Sequence, residues 1–261
     1  ETAKYSTIKI VNGQEFRCFK FPDDICLGFI QGLGIEESDR ATGMLQYPKD
    51  LKLAICPSQI VADYPQYMTR FQPGDLVEVD MDFTLANDKL LDAMSNIPGI
   101  KRLNIAHCKK LTPDCYSILD KFKDLRTLQA TSSSLSGATL ARANCWGSLS
   151  QLLWNDAIEP TPLLRKIQSS PKLLELWLNN SRLKPIDYQL IAQFPNLKYL
   201  QVNKNTITAD DIKELSKLEN LVSISLQECS LDERANAALA KMKSKRAMKS
   251  SGQPLTVWLT P

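Results

Sequence analysis

Histidine is nearly absent from the sequence. His107 is the single histidine among 261 residues, so the side chain that most often moves protons near neutral pH is available only once. A glycine-rich phosphate loop, a Ser, His and Asp set, and a cluster with metal-ligand spacing are also missing. Hydrolytic and phosphoryl-transfer enzymes need such groups. The sequence therefore predicts a protein that is not an enzyme and that has no cofactor.

Neither an excess of one charge nor a long apolar run is present. The chain has 32 basic and 29 acidic residues, a net charge of +3, which argues against nucleic acid or an anionic membrane as the partner. No run approaches the roughly 18 apolar residues of a membrane-spanning helix, so no span is predicted in this chain. Because the chain begins at Glu1, processing of a longer precursor and excision from a larger protein are both compatible with it.

Closely spaced cysteine pairs are missing as well. The seven cysteines, at positions 18, 26, 56, 108, 115, 145 and 229, include no CxxC spacing. An odd and scattered set predicts reduced thiols and a reducing, cytoplasmic environment. The spacing leaves open a disulfide between Cys18 and either Cys26 or Cys56.

A repeat of 24 or 25 residues fills most of the chain. Its seven copies begin at residues 76, 100, 125, 149, 173, 197 and 221, and positions 1, 4 and 6 of each copy are apolar. Position 9 holds a small residue in most copies, often cysteine or asparagine. The second half of each copy has helical spacing: in LTPDCYSILDKF, Thr112 can cap, Pro113 suits the first helical position, and Leu119 and Phe122 share one face.

The L-x-x-L-x-L-x-x-N/C pattern resembles the leucine-rich repeat family, most closely its cysteine-containing subtype. The resemblance implies an α/β solenoid, a horseshoe with a parallel concave sheet, short helices on the convex side and a cap at each end. Residues 76–245 then form seven repeats and 51–75 a degenerate first repeat. The stretch ATGMLQYPKDLKLAI, ahead of the array, is similar to what precedes repeats in bacterial multidomain proteins, including kinase-linked ones.

The two ends depart from the repeat. Residues 1–50 are predicted to be a β-hairpin cap or linker, because alternating apolar residues flank Asn12-Gly13; the pattern assigns no structure to residues 23–48. Residues 246–261 are predicted to be a loop and a closing strand, LTVWLTP. The basic stretch KMKSKRAMKSSGQP, residues 241–254, is predicted to be mobile.

Two clusters could carry chemistry, and the repeat explains both without it. His107, Cys108 and Cys115 fall on different sides of one repeat, so they do not converge on a metal or form a nucleophile pair. Four carboxylates in and after the first full repeat could in principle bind calcium or magnesium, but a solvated strand face is the favoured interpretation; these are Glu78, Asp80, Asp82 and Asp88. No metal site is predicted.

Positions 3, 5, 7 and 8 of each copy should face the open side of the sheet, because strand side chains alternate between the two sides and position 8 follows in the turn. On neighbouring strands they place an aromatic and apolar patch beside a column of asparagines, which is typical of a binding surface. The predicted partner-binding residues are Leu153, Asn155, Trp177, Asn179, Tyr199, Gln201, Asn203 and Trp258.

The sequence therefore predicts a protein–protein interaction module within a larger signalling protein. Two alternatives stay open. The repeats could select substrates for an attached enzyme, as in an effector or a ubiquitin ligase, or they could sense a glycan through Trp177 and the asparagines.

Overall fold

Each repeat forms one three-residue strand that is followed by a short helix or a 3₁₀ turn. The computed structural model describes residues 3–247 and 255–259, and within them the side chains of all but 245–247. The strands are β1 Ser6–Val11, β2 Gln14–Lys20, β3 Gly28–Gly32, β4 Ser38–Arg40, β5 Met44–Pro48, β6 Leu53–Pro57, β7 Glu78–Asp80, β8 Arg102–Asn104, β9 Thr127–Gln129, β10 Gln151–Leu153, β11 Glu175–Trp177, β12 Tyr199–Gln201, β13 Ser223–Ser225 and β14 Thr256–Trp258.

Short helices alternate with the repeat strands. They are α1 Ile60–Asp63, α2 Asp88–Ser95, α3 Tyr116–Leu119, α4 Gly137–Ala141, α5 Thr161–Ile167, α6 Pro185–Ile191, α7 Ala209–Leu215 and α8 Glu233–Ala247, with 3₁₀ turns at Pro65–Arg70, Pro113–Cys115 and Cys145–Ser148. The chain divides into two compact units, Glu1–Leu128 and Gln129–Pro261.

The first unit begins with an antiparallel sheet in the order β1-β2-β5. The turn between β1 and β2 is Asn12-Gly13, and both residues have positive φ, 51° and 79°, as a two-residue hairpin turn requires. Beneath this sheet the rings of Tyr5, Phe19, Phe21 and Phe71 form a buried aromatic cluster.

The segment 51–75, which was predicted to be a degenerate first repeat, contributes strand β6 to the sheet. Strand β6 pairs in parallel with β7, which pairs in parallel with β8, while β3 pairs with β6 in the antiparallel sense. The stretch 23–48, to which the sequence pattern assigned no structure, contains β3, β4 and β5. At this end the sheet continues through β3, which runs against the array, to the edge strand β4, which is antiparallel to β3.

The second unit contains five strands in parallel register. Position 4 of each strand lies beside position 4 of the next, in the row Leu152, Leu176, Leu200, Ile224 and Val257. The first four of these side chains are buried. This register confirms that position 4 faces the core, and it places the closing strand β14 in step with the repeats.

Position 8 of every copy adopts a left-handed backbone. The seven residues have φ between 49° and 58°, although none is glycine: Phe83, His107, Ser132, Asp156, Asn180, Lys204 and Glu228. L-residues adopt this region rarely and at a cost. The turn that ends each strand is therefore imposed by the stacked strands on either side, because no shared residue type favours it.

Position 9 fills the space beneath that turn, and where it is cysteine or asparagine its side chain donates to one particular carbonyl. Cys108 Sγ donates to Met81 O at 3.1 Å, Asn205 Nδ2 to Leu178 O at 2.9 Å, and Cys229 Sγ to Val202 O at 3.2 Å. Each acceptor is position 6 of the preceding copy. Cysteine and asparagine thus make the same inter-repeat hydrogen bond.

The basic stretch after the last repeat differs from expectation. Helix α8 continues to Ala247, so the predicted mobile loop is wrong for residues 241–247. Leu239 and Met242 are buried, and this spacing of three residues holds the helix against its neighbour α7. The rest of the predicted loop, 248–254, lies outside the described residues.

Candidate binding face

The open side of the second unit's strands carries the candidate site. We call its side chains at positions 3, 5 and 7 the sheet face. Parallel pairing sets them in rows: Gln151, Glu175, Tyr199, Ser223 and Thr256 at position 3, Leu153, Trp177, Gln201, Ser225 and Trp258 at position 5, and Asn155, Asn179, Asn203 and Gln227 at position 7. All eight predicted binding residues belong to these rows.

Two aromatic side chains stand out from this face. Tyr199 is 45% exposed and Trp258 is 56% exposed. Trp177 is half-buried between the core residues Leu176 and Leu178, and its indole nitrogen is covered without a hydrogen-bond partner among the described residues. A partner can therefore contact the exposed part of the Trp177 ring but not its N–H.

The asparagine column acts first as structure. The backbone N–H of Asn179 donates to Asn155 Oδ1 at 3.0 Å, that of Asn203 to Asn179 Oδ1 at 2.8 Å, and that of Gln227 to Asn203 Oδ1 at 2.7 Å. Each carboxamide oxygen thus accepts a backbone N–H that the short strand leaves beyond its ladder. Sequence reasoning predicted these asparagines only as contact residues.

A cleft of about 260 Å³ lies between the two exposed rings. Tyr199 is on β12 and Trp258 on β14, and the intervening β13 presents the small side chains Ser223 and Ser225. Because neighbouring strands lie about 4.8 Å apart, the two strands that carry the rings lie roughly 10 Å apart, with the two serines on the strand between them. Glu175 lines the same cleft, and Gln151 Nε2 donates to its Oε2 at 2.6 Å.

The histidine and the acidic cluster lie in the first unit, away from these rows in sequence. His107 Nδ1 lies 2.7 Å from Asp82 Oδ1, and the imidazole stacks on Phe83 with ring centres 3.9 Å apart. Glu78 forms an ion pair with Arg102 at 2.9 Å. In the described part of the chain, no three His, Cys, Asp or Glu side chains are arranged to hold a metal ion.

The thiols of Cys108 and Cys115 are buried and hold their protons. All seven cysteines are free, so the disulfide left open for Cys18 is not formed in this structure. Burial raises the pKa of Cys108 and that of Cys115 to about 12. Thiols with such pKa values are poor nucleophiles near neutral pH, because the reactive form is the thiolate.

Comparisons with solved structures agree with this architecture. An internalin from Listeria monocytogenes has a TM-score of 0.51 and 15% identity over 80% of this chain and 54% of its own. Human trophoblast glycoprotein has a TM-score of 0.51 and 14% identity over 70% and 69%. Yeast Rad7, solved in complex with Elc1, has a TM-score of 0.52 and 17% identity over 78% and 52%.

The fold is that of a leucine-rich-repeat α/β solenoid. The similar structures are leucine-rich-repeat proteins, and this chain spans about half the length of the internalin and of Rad7. No protein-family model and no curated protein matches the sequence. In the described residues, every helix is too short or too polar to cross a membrane.

Proposed function

We propose that the chain is a non-enzymatic interaction module whose sheet face binds a protein. The observation that carries the proposal is the pair of exposed rings, Tyr199 and Trp258, among neutral polar side chains. Aromatic side chains are enriched at protein interfaces, and a few of them dominate the binding energy. The leucine-rich-repeat fold of proteins that bind other proteins, such as Rad7 with Elc1, supports this use of the face.

The test compares variants of the two sides of the second unit. The wild-type chain is used to capture partners, which are identified, purified and titrated by calorimetry. Trp177→Ala should weaken binding by about 2 kcal/mol, because it removes a large rigid contact. Tyr199→Ala should act in the same direction. Lys172→Ala and Lys213→Ala, which change exposed residues outside the sheet face, should bind as the wild type does.

Folding must be separated from binding in this experiment. Leu176→Ala, one residue before Trp177 but fully buried, should lower the free energy of unfolding by about 2–5 kcal/mol. Trp177→Ala should cost much less, because its side chain does not lie between core layers. Normal partner binding by Trp177→Ala, together with loss of binding in Lys213→Ala, would overturn the proposal.

The setting is also proposed as cytoplasmic and part of a larger signalling protein. Seven free cysteines, of which three are buried in the repeats or the cap, fit a reducing compartment. The similarity of the residues ahead of the array to bacterial kinase-linked repeat proteins supports the signalling role. The flanking reading frame of the gene tests it: a kinase or another catalytic domain there is the expected finding, and a secretion signal directly before Glu1 would contradict it.

A further inference from the structure

Among the described residues, the sheet face carries a single formal charge. Rows 3, 5 and 7 of the second unit contain amides, hydroxyls, aliphatic and aromatic side chains, and one carboxylate, Glu175. The corresponding positions of the first unit differ, since they include Glu78, Asp80, Asp82 and Arg102. A lone carboxylate on these otherwise neutral rows favours a ligand with one positive group at the position of the carboxylate, because a negative group there would be repelled.

The place it selects is the cleft between the exposed rings. Glu175 lines that cleft together with Tyr199 and Trp258. Gln151 holds the carboxylate in position through its bond to Oε2, and the Trp258 ring is held by the bond from its Nε1 to Ser223 Oγ at 3.2 Å. The ring and the carboxylate are therefore oriented before a ligand arrives, which reduces the entropy lost on binding.

Size and chemistry then limit the ligand. A cleft of about 260 Å³ is smaller than the pockets of about 300–1,000 Å³ that hold drug-sized ligands, but it admits one long side chain. Aromatic faces attract cations within about 6 Å of the ring centre. A guanidinium suits two rings and a carboxylate better than an ammonium does, because it is planar, stacks and is weakly hydrated. Anions such as phosphate would meet a carboxylate and no cation on this face.

We infer that the cleft between Tyr199 and Trp258 binds one arginine side chain of the protein partner. The guanidinium stacks against the rings, and Glu175 supplies the opposite charge. Gln201, Asn203 and Gln227, which also line the cleft, flank the stem of that arginine. The inference deepens the proposed function and rests on it, since it names the chemistry of the partner segment that the sheet face accepts.

The test uses the full chain and short peptides. The probes are the capped tripeptide Gly-Arg-Gly, its citrulline analogue, which has the same shape without the charge, and the lysine analogue. The readout is the indole N–H resonance of Trp258 in ¹⁵N-labelled chain, assigned with Trp258→Phe. The arginine peptide should shift this resonance saturably and bind roughly threefold to tenfold more tightly than the citrulline peptide, with the lysine peptide between them.

Variants then assign the preference to the residues. Glu175→Gln should bind arginine and citrulline peptides equally, and Tyr199→Leu should weaken both. Glu233→Gln, an equivalent change of an exposed carboxylate on α8, should keep the full preference. Equal binding of the two peptides by the wild type, or a preference that survives Glu175→Gln, overturns the inference. So does a saturable shift with chitotriose or cellotriose and none with the arginine peptide, which would make the cleft a glycan site.

The two proposals can fail separately. If the partner is lost with Trp177→Ala but no arginine peptide shifts Trp258, the binding face stands and the arginine cleft is wrong. If the purified partner binds Trp177→Ala, Tyr199→Ala and Glu175→Gln as it binds the wild type, the sheet face itself is not the interface and both are wrong.

Discussion

At the scale of single residues, position 9 shows how two different side chains satisfy one structural need. The need is a donor for the carbonyl at position 6 of the preceding copy, and cysteine meets it with one weak bond. Asn205 does more: its Nδ2 lies within 3.0 Å of three carbonyl oxygens, and its Oδ1 accepts from the N–H groups of Ser181 and Leu183. The asparagine thus satisfies backbone groups in the turn that the thiol cannot reach.

This difference predicts an order of stability at residue 205. Asn205→Cys keeps one donor and leaves two buried backbone N–H groups unpaired, so at about 1–3 kcal/mol for each group it should cost about 2–6 kcal/mol. Asn205→Leu removes every bond and should cost more still. Urea unfolding of the two variants measures both costs. Equal costs would mean that a thiol at residue 205 does not replace the bond to Leu178, because that donor is the bond in which the two variants differ.

At the scale of elements, the helices of the repeats differ in how their first turns are capped. Helix α7 has a complete capping box: Thr208 Oγ1 accepts from the N–H of Asp211, and the Asp211 carboxylate accepts from the N–H of Thr208 at 2.9 Å. Helix α6 has only half of it. Asp187 accepts from the N–H of Lys184 at 2.8 Å, but a lysine side chain has no acceptor to offer in return.

Removal of the complete cap should destabilise the second unit. Thr208→Ala leaves the N–H of Asp211 without its side-chain acceptor, and it should cost about 1 kcal/mol of unfolding free energy. Thr208→Ser, which keeps the hydroxyl, is the matched control and should lie close to the wild type. A loss of equal size in both variants would show that the methyl group, and not the cap, is responsible.

Completion of the half cap should have the opposite effect. Lys184 already has the backbone of a capping residue, with φ −100° and ψ 162°, close to the −102° and 170° of Thr208. Lys184→Thr should therefore stabilise the chain by up to about 1 kcal/mol. Lys184→Ala separates this gain from simple loss of the lysine and should be nearly neutral. A rise in melting temperature in the alanine variant as large as that in the threonine variant would contradict the capping argument.

The sequence predicted these elements well where a period or a cap marks them. The apolar spacing placed Leu152, Leu176 and Leu200 in one core row, and the expected cap at Thr112 is present, since its side chain accepts from the N–H of Asp114. Prediction from the sequence failed where a feature depends on neighbouring repeats and not on the local residues. The left-handed turn at position 8 has no residue signature, since Phe83, Lys204 and the others share only their place between stacked strands. The C-terminal end of α8 was predicted to be a loop because it is rich in lysine, although Leu239 and Met242 have helical spacing.

The candidate site was predictable in its rows but not in its detail. Alternation along each strand placed Trp177 and Gln201 on the open face, and the register of Trp258 with Ser225 is confirmed. The cleft could not be predicted from one repeat, because it depends on the lateral order of three strands, in which small serines lie between two aromatic rings. The hydrogen bonds of the asparagine column depend on the distances between neighbouring turns, which no single repeat reveals.

At the scale of the whole molecule, the repeat places thiols and phenols inside the core, and this has a consequence for alkaline stability. Burial raises the pKa values of Cys108 and Cys115 to about 12, and it also raises those of Cys229 and Tyr188. In the unfolded chain a thiol has a pKa of about 8.5. Between these values the unfolded chain loses a proton that the folded chain keeps, so unfolding is favoured as the pH rises.

The free energy of unfolding should therefore be unaffected by these thiols below about pH 8.5 and fall between about pH 8.5 and 12. Each buried thiol contributes a slope of up to about 1.4 kcal/mol per pH unit in that window. Urea unfolding under a reducing agent, followed from pH 8 to 10, measures the slope.

Cys115→Ala should be less stable near neutral pH because of the cavity, yet its stability should fall less steeply with pH. Leu119→Ala, on the same turn of structure and equally buried, makes a cavity without removing a proton, and its curve should run parallel to the wild type. If the Cys115→Ala curve also ran parallel, the thiol would already titrate in the folded chain, and the core around it would be open to water.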